Sequence, residues 1–283
     1  MTGTRAREQT RGSLAAGSIG SRDRLYRRLL TEVAAANLPF GPDVAGVVAQ
    51  SDLAGLPPAA QRYLRFMGVV GRPRDWSFRV RLAGRFRLRP GGGWMPTQAW
   101  QYNSAVQVAR VFVIQVRVAH VLSMVASDTY LRGRGRMLGK LLGLVTVADG
   151  KGDEFDVGEL LTWLNDAVLM APSMLLTPAV SWAQVDNDSF DVSLTDAGHT
   201  VTARVFLDAR GAPVDFAADR YASLPGGLLL ARWCTPIQSW DMVGGRPFPG
   251  PASVIYDLPD GPFRYLEGAF DAGSVAFNVP PGS

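Results

Sequence analysis

FDVGELLTWLNDAVLMAPSMLL, residues 155–176, reads as one apolar helix in a chain whose other segments mostly alternate like strands. Asp156 is placed to cap the helix, and Glu159, three residues on, can reach back in a box-like pair. Val157, Leu160, Leu161, Leu164 and Val168 fall on one face, with Trp163, Ala167 and Met170 beside it. Pro172 ends it, because the residue before a proline avoids helical backbone. Asp149–Asp156 is expected to be a loop and Val157–Ala171 the longest helix after residue 40. A helix apolar over so much of its circumference packs against protein on two sides.

Outward from that helix the period changes to two. Phe78, Val80 and Leu82 alternate with Ser77, Arg79 and Arg81, and Phe86 and Leu88 with arginines, before the turn at Pro90-Gly91-Gly92-Gly93. Further predicted strands lie at 99–103, 108–118, 124–131 and 137–147, then 180–185, 190–194, 201–207, 214–221, 233–241, 253–258, 263–269 and 274–279. Turn chemistry separates several of them: Asp186-Asn187-Asp188, Asp196-Ala197-Gly198, Asp208-Ala209-Arg210-Gly211 and Asp260-Gly261. Upstream, Ser21 is placed to cap a helix reaching about Asn37, with Leu25, Leu29, Leu30, Val33 and Ala36 on one face. A second helix starts at Pro57-Pro58, carries Ala60, Tyr63, Leu64 and Met67, and stops at Gly68. Residues 1–21 have the composition of a disordered basic tail, 22–55 of a helix and linker, and 56–283 of a single β-rich domain.

The net charge of +4 sits at one end. Residues 1–28 hold seven arginines against Glu8 and Asp23, so the remaining residues sum to −1. A near-neutral body lacks the broad basic face that nucleic acid requires. Leu14-Ala15-Ala16 is too short for the apolar core of a signal peptide, and no run of 18 apolar residues occurs, so the expectation is a cytoplasmic protein with no transmembrane segment. Cys234, the single cysteine, excludes an intrachain disulfide and reads as a small buried hydrophobe.

Local motifs exclude more chemistry than they suggest. His120 and His199 stand in no paired spacing for a metal, so neither metal nor cofactor is expected. Gly133–Lys140 lacks the glycine and hydroxyl positions of a phosphate loop, and the acids between Asp149 and Asp156 lack the calcium-loop order. No Gly-x-Ser-x-Gly elbow is present.

Several segments together resemble a bacterial family of conserved hypothetical proteins known only as a domain of unknown function. They are LPPAAQRYLRFMGV at 56–69, the pair Trp94 and Trp100, SDTYLRGRGRMLGKLLGLV at 127–145, GELLTWLNDAVLMAPSMLL at 158–176 and DFAADRY at 215–221. The resemblance runs from about Leu56 to Pro280 and brings no activity with it. The overall pattern is similar to the half-barrel lipoprotein carriers of the periplasm, in which a curved antiparallel sheet wraps a helix. This chain departs from them in lacking a recognisable signal peptide.

The expected fold is therefore mainly β (α+β): a large curved antiparallel sheet, a half-barrel, wrapping one central helix, with N-terminal helices. Trp94, Trp100 and Trp182, each in or beside a predicted strand, are the candidates to line its concave face. Asn165 at the helix edge and Asp219-Arg220, neighbours that point to opposite faces of a strand, are the candidate polar contacts. An inward-pointing charge there needs a partner. Asp166 is expected on the outer face of the helix. The expected function is binding of an apolar or lipid-like small molecule; the alternatives are a metal-independent enzyme using the same cavity and a structural or interaction protein.

Overall fold

The computed structural model describes residues 19–118 and 122–283, with side chains from residue 24 onward. The expected tail therefore falls mostly, and His120 wholly, outside the described residues. Helix α1 spans Ile19–Ala36, which puts Ser21 inside it rather than ahead of it. Helix α2 spans Pro58–Phe66 and buries Ala60, Tyr63 and Leu64; Met67 follows it, and Gly68 takes the left-handed backbone (φ +65°) that closes such a helix end.

Six strands precede the central helix: β1 (Ser77–Phe86), β2 (Met95–Ser104), β3 (Ala109–Arg117), β4 (Ser123–Leu131), β5 (Arg134–Leu141) and β6 (Val145–Lys151). Helix α3 is Asp153–Met170, and a single 3-10 turn, Pro172–Leu175, follows it. Then come β7 (Val180–Gln184), β8 (Ser189–Asp196), β9 (His199–Leu207), β10 (Pro213–Leu224), β11 (Gly227–Cys234), β12 (Trp240–Val243), β13 (Arg246–Pro249), β14 (Ala252–Leu258), β15 (Gly261–Phe270) and β16 (Ala276–Phe277). Among the described residues, one antiparallel sheet runs β6-β5-β4-β3-β2-β1-β15-β14-β11-β10-β9-β8-β7, with β16 added to β1 and β12–β13 a separate hairpin. Register shifts in β14, β5–β6 and β9–β10 add local bend to the ordinary strand twist, and the sheet curls into a half-barrel around α3.

Three expectations are corrected. Residues 137–147 form a hairpin rather than one strand, because Leu142 (φ +52°) and Gly143 (φ +73°) supply the two positive-φ positions of a tight turn. Asp149 is no loop residue: it sits in β6 and takes both Arg136 hydrogen bonds across the ladder, at 2.8 and 3.1 Å. The predicted strand 233–241 is instead the end of β11, which starts at Gly227 (φ +115°), followed by β12.

The start of α3 also differs from the expectation. It begins four residues earlier, at Asp153, and Asp156 is not its cap. The Asp156 carboxylate is buried and accepts from the Gly135 N–H at 2.7 Å and from Arg134 Nη1 at 2.8 Å, pinning the helix to β5. Three acids in the first turn complement the positive end of the helix dipole. The approach is close enough that a Cβ on Gly135 would meet the Phe155 carbonyl oxygen at 2.0 Å. Gly135→Ala is accordingly expected to destabilise by about 1–3 kcal/mol, the usual cost of overpacking, read as a lower urea midpoint at unchanged slope.

The two sides of α3 meet different surroundings. Leu160, Leu161, Leu164 and Val168 join Tyr63 and Leu64 of α2 and Phe190, Val192, Val205 and Phe216 of β8–β10 in the main core. The Tyr63 hydroxyl donates to the Val168 carbonyl at 2.7 Å, where the chain has no further helical turn to bond it. β3 is apolar at nearly every position because both of its faces are covered. Val111 and Val113 meet Leu25, Leu29 and Val33 of α1 on the convex side, while Phe112 and Ile114 face inward.

Candidate functional site

A cavity of about 430 Å³ lies between α3 and the concave face of the half-barrel. Strand register gives it a polar and an apolar end. On neighbouring β3 and β4, Phe112 stands opposite Asp128, Ile114 opposite Ala126, and Val116 opposite Met124. All six line the cavity. The four-residue step from Asp128 to Met124 is about 13 Å at strand rise. Leu82, Leu266 and Phe270 continue the apolar wall, while Gln101, Arg110, Thr162, Asn165 and Thr235 supply polar groups around the helix. A second pocket of about 310 Å³ shares Asp128, Glu159, Arg220 and Tyr265 with the first.

The polar end is built on a stripe of α3. Glu159, Thr162 and Asp166 are spaced by three and four residues, so they share one helical face. Arg110 donates from Nε to Asp166 at 2.8 Å and from Nη1 to Glu159 at 3.0 Å. Gln101 and Asn103 of β2 donate to the same Asp166 oxygen at 2.6 and 3.3 Å. Arg220 spends all three guanidinium nitrogens within the protein: on Glu159 at 2.9 Å, on the Gly158 carbonyl at 3.2 Å and on the Tyr256 hydroxyl at 2.5 Å. Asn165 donates to the Thr235 hydroxyl at 2.7 Å, and Trp233 donates to the Tyr265 hydroxyl at 3.0 Å.

Asp128 is different. It lines both pockets yet makes no hydrogen bond or ion pair among the described residues. Burial raises its carboxyl to about 7, and the charge of Glu159 adds to the rise against the pull of Arg110 and Arg220. Burial also opposes the charge on Arg110, but Asp166, Glu159 and Asp128 outweigh it and hold the guanidinium ionised. Burial likewise pushes the Asp166 carboxyl upward against Arg110.

The raised Asp128 value has a stability consequence. A carboxyl that titrates higher folded than unfolded binds more protons in the folded state, so its stabilising share is present at low pH and is lost as pH rises from about 4 to about 7. Asp128→Asn is therefore expected to raise the melting temperature by a few degrees at pH 8 and to change it little at pH 4. Thermal unfolding at the two pH values checks this.

The structure brings two of the six sequence candidates to the cavity, Asn165 and Arg220. Asp219 points outward beside Asp191 and Arg232, as its position next to the inward Arg220 requires. Trp94 lies outside, with the guanidinium groups of Arg85 and Arg87 at 4.5 and 4.0 Å from its ring. Trp100 is on the convex side against Tyr26 of α1, ring centres 4.6 Å apart, and Trp182 packs on Tyr63 and Phe190 at the rim of the main core. Trp233 is the tryptophan that lines the cavity. Asp166, expected on an outer face, is buried, because α3 has no outer face there: the sheet curls over it. Arg110, Asp128 and Glu159 were missed. The available signal was an arginine inside the apolar run VARVFVIQV, which needs a buried acid, and the Glu159/Asp166 spacing that supplies one.

The sequence pattern of a family of unknown function, DUF6544, matches residues 46–268. The chain belongs to that family. The matched part contains every residue of the ionic cluster and the whole cavity wall except Phe270; α1 lies outside it. No curated protein shows significant similarity to the chain. Among solved structures, it is similar to a LolA-superfamily protein from Nitrosomonas europaea, with 13% identity over 81% of this chain and 93% of that one and a TM-score of 0.40. It is also similar to a domain from Vibrio parahaemolyticus described as an outer membrane lipoprotein-sorting protein, with 9% identity over 80% and 93% and a TM-score of 0.43.

Proposed function

We propose that this protein binds an apolar or amphipathic small molecule in the cavity between α3 and the half-barrel. One observation carries the reading: a 430 Å³ space whose wall grades from Val116, Met124 and Phe270 to a cluster of charged groups. That volume lies within the ordinary range of small-molecule pockets, about 300–1,000 Å³. Leaving so much apolar wall without a packing partner forfeits stability that side chains of the right size would supply. The rim adds to this: Leu142, Leu144 and Val145 at the β5–β6 hairpin are exposed beside Val147, which lines the cavity. An apolar lip of this kind suits entry of an apolar ligand. Among the described residues, no helix is long and apolar enough to cross a membrane. A cytoplasmic setting is part of the proposal, and fractionation of the host cell checks it.

The test is native mass spectrometry of the full chain purified from its own host. The expected result is a retained mass of a few hundred daltons, a size that pockets of this class enclose, released by organic solvent. Protein that is empty on isolation, and stays empty after incubation with lipid extract, would contradict the reading.

A metal-independent enzyme in the same cavity is the second reading, and Asp128 favours it. A carboxyl held near neutral pH in a cleft is suited to proton transfer. The expected sign is a change in the mass of the extracted ligand on incubation with wild type but not with Asp128→Asn.

A further inference from the structure

Resting on the binding reading, we propose that the cavity selects a cationic amphiphile: a single apolar chain in its body and a protonated amine against the Asp128 carboxylate. Charge balance and an unspent acceptor point to it. Two cations, Arg110 and Arg220, face two carboxylates, Glu159 and Asp166, through ion pairs of 2.8–3.0 Å. The charges of that cluster balance. Asp128 is the surplus charge, and among the described residues it has no hydrogen-bond or ion-pair partner.

The charged groups and phenols that act on Asp128 come from five elements, and β5 beside it adds the apolar Met137. The five are Arg110 on β3, Glu159 on α3, Arg220 on β10, and the phenols Tyr256 on β14 and Tyr265 on β15. Neither arginine approaches it within ion-pair distance, because each is held by other acceptors. Asp128 is half-buried, and a carboxylate that gives up part of its water without gaining a partner is held at a cost. A proton relieves that cost; so does a cation that enters with the ligand. An anionic head, such as a fatty acid carboxylate or a phosphate, meets the opposite situation. Arg110 and Arg220 are each already neutralised by Glu159 and Asp166, and Asp128 repels the incoming charge.

The position of Asp128 sets how the ligand lies. It stands at the polar end of the ladder Asp128–Ala126–Met124, whose partners Phe112, Ile114 and Val116 form the apolar wall. An ammonium at Asp128 therefore leaves its chain running along β3 and β4 toward Val116. Each methylene buried there strengthens binding roughly fourfold without regard to the head group. Selectivity for the head is then separable from affinity for the chain.

The experiment is calorimetric titration of the full chain with dodecylamine, dodecanol and dodecanoate below their aggregation limits, using wild type and Asp128→Asn. A neutral environment-sensitive apolar dye is run beside them. At pH 8 the amine should bind about tenfold or more tighter than the alcohol, as expected for a hydrogen bond between charged groups, and the carboxylate should bind weakest. The amine stays protonated well above pH 8 by analogy with lysine, so the titrating group is Asp128. Lowering the pH from 8 to 5 should reduce the amine's advantage toward nothing as Asp128 takes up its proton. Asp128→Asn should abolish the amine's advantage over dodecanol at every pH. Dodecanoate binding as tightly as dodecylamine, or an amine preference that survives in Asp128→Asn, would overturn the proposal while the binding reading stands. Failure of dye and dodecanol alike would overturn the binding reading and this proposal with it.

Discussion

Replacing Arg110 with leucine is expected to lower the stability of this protein by about 3–5 kcal/mol, the range for removing one partner of a buried ion cluster. Arg110 is the hub that joins the sheet to α3: its side chain is 6% exposed, and it reaches two carboxylates seven residues apart on the helix. Without it, Asp166 keeps only the neutral amides of Gln101 and Asn103, while Glu159 keeps Arg220. The damage therefore falls mainly on Asp166. The sign of the pH dependence follows. Burial already raises the Asp166 carboxyl, and losing Arg110 raises it further, so the folded variant binds a proton that the unfolded chain does not. The deficit of Arg110→Leu should accordingly be largest at pH 8 and shrink as the pH falls through the raised value toward 4. Urea unfolding at several pH values reads both effects. A loss below about 1 kcal/mol at pH 8, the size of an exposed ion pair, would mean that the cluster is solvated and holds nothing together.

Leu164→Ala addresses the other side of the same helix. Leu164 has no exposed surface and sits in the main core, in the cluster that joins α2 to β8–β10. The expected loss is about 2–5 kcal/mol, from transfer of the removed atoms plus the cavity left behind. Its neighbours are Tyr63, tied to the Val168 carbonyl, and Trp163, whose indole donates to the Ser104 carbonyl at 3.0 Å. Those anchors limit how far the site can collapse, which places the expected value in the upper half of the range. Ligand binding in the cavity should be little changed, since Leu164 does not line it. A stability change within about 0.5 kcal/mol, as for neutral surface positions, would show that α3 is rotated from the orientation described.

The half-barrel was legible because its elements carry strong local signals. Period-two alternation from Ser77, glycine and aspartate turns, and a long apolar helix ending at Pro172 are each set by neighbours in sequence. Where the reading erred, a long-range contact overrode the local pattern. Asp156 and Glu159 look like cap and box from their spacing. Instead Asp156 is taken by Gly135 and Arg134, and Glu159 by two arginines from β3 and β10. The β5–β6 hairpin was hidden because its turn uses Leu142 at positive φ, where glycine or asparagine is the usual sign. Of the sequence candidates, Asn165 and Arg220, chosen from helix edge and strand parity, line the cavity. The tryptophans were placed by composition alone, and that has no direction in it: Trp100 could face either side of β2, and the apolar face of α1 drew it to the convex one. Asp128 carries no local mark, since its distinction is the absence of a partner once the sheet has curled.

The most direct test of the central claim is a titration with a neutral, environment-sensitive apolar dye, comparing wild type with Ala148→Trp. Ala148 lies on β6, at the edge of the sheet, and its side chain lines the cavity, so the larger ring fills the space at little expense to the core. The account requires saturable binding at one dye per chain in wild type, and its loss in Ala148→Trp at a melting temperature close to wild type. Binding that does not saturate, or that continues unchanged with the cavity filled, would place the dye elsewhere and contradict it.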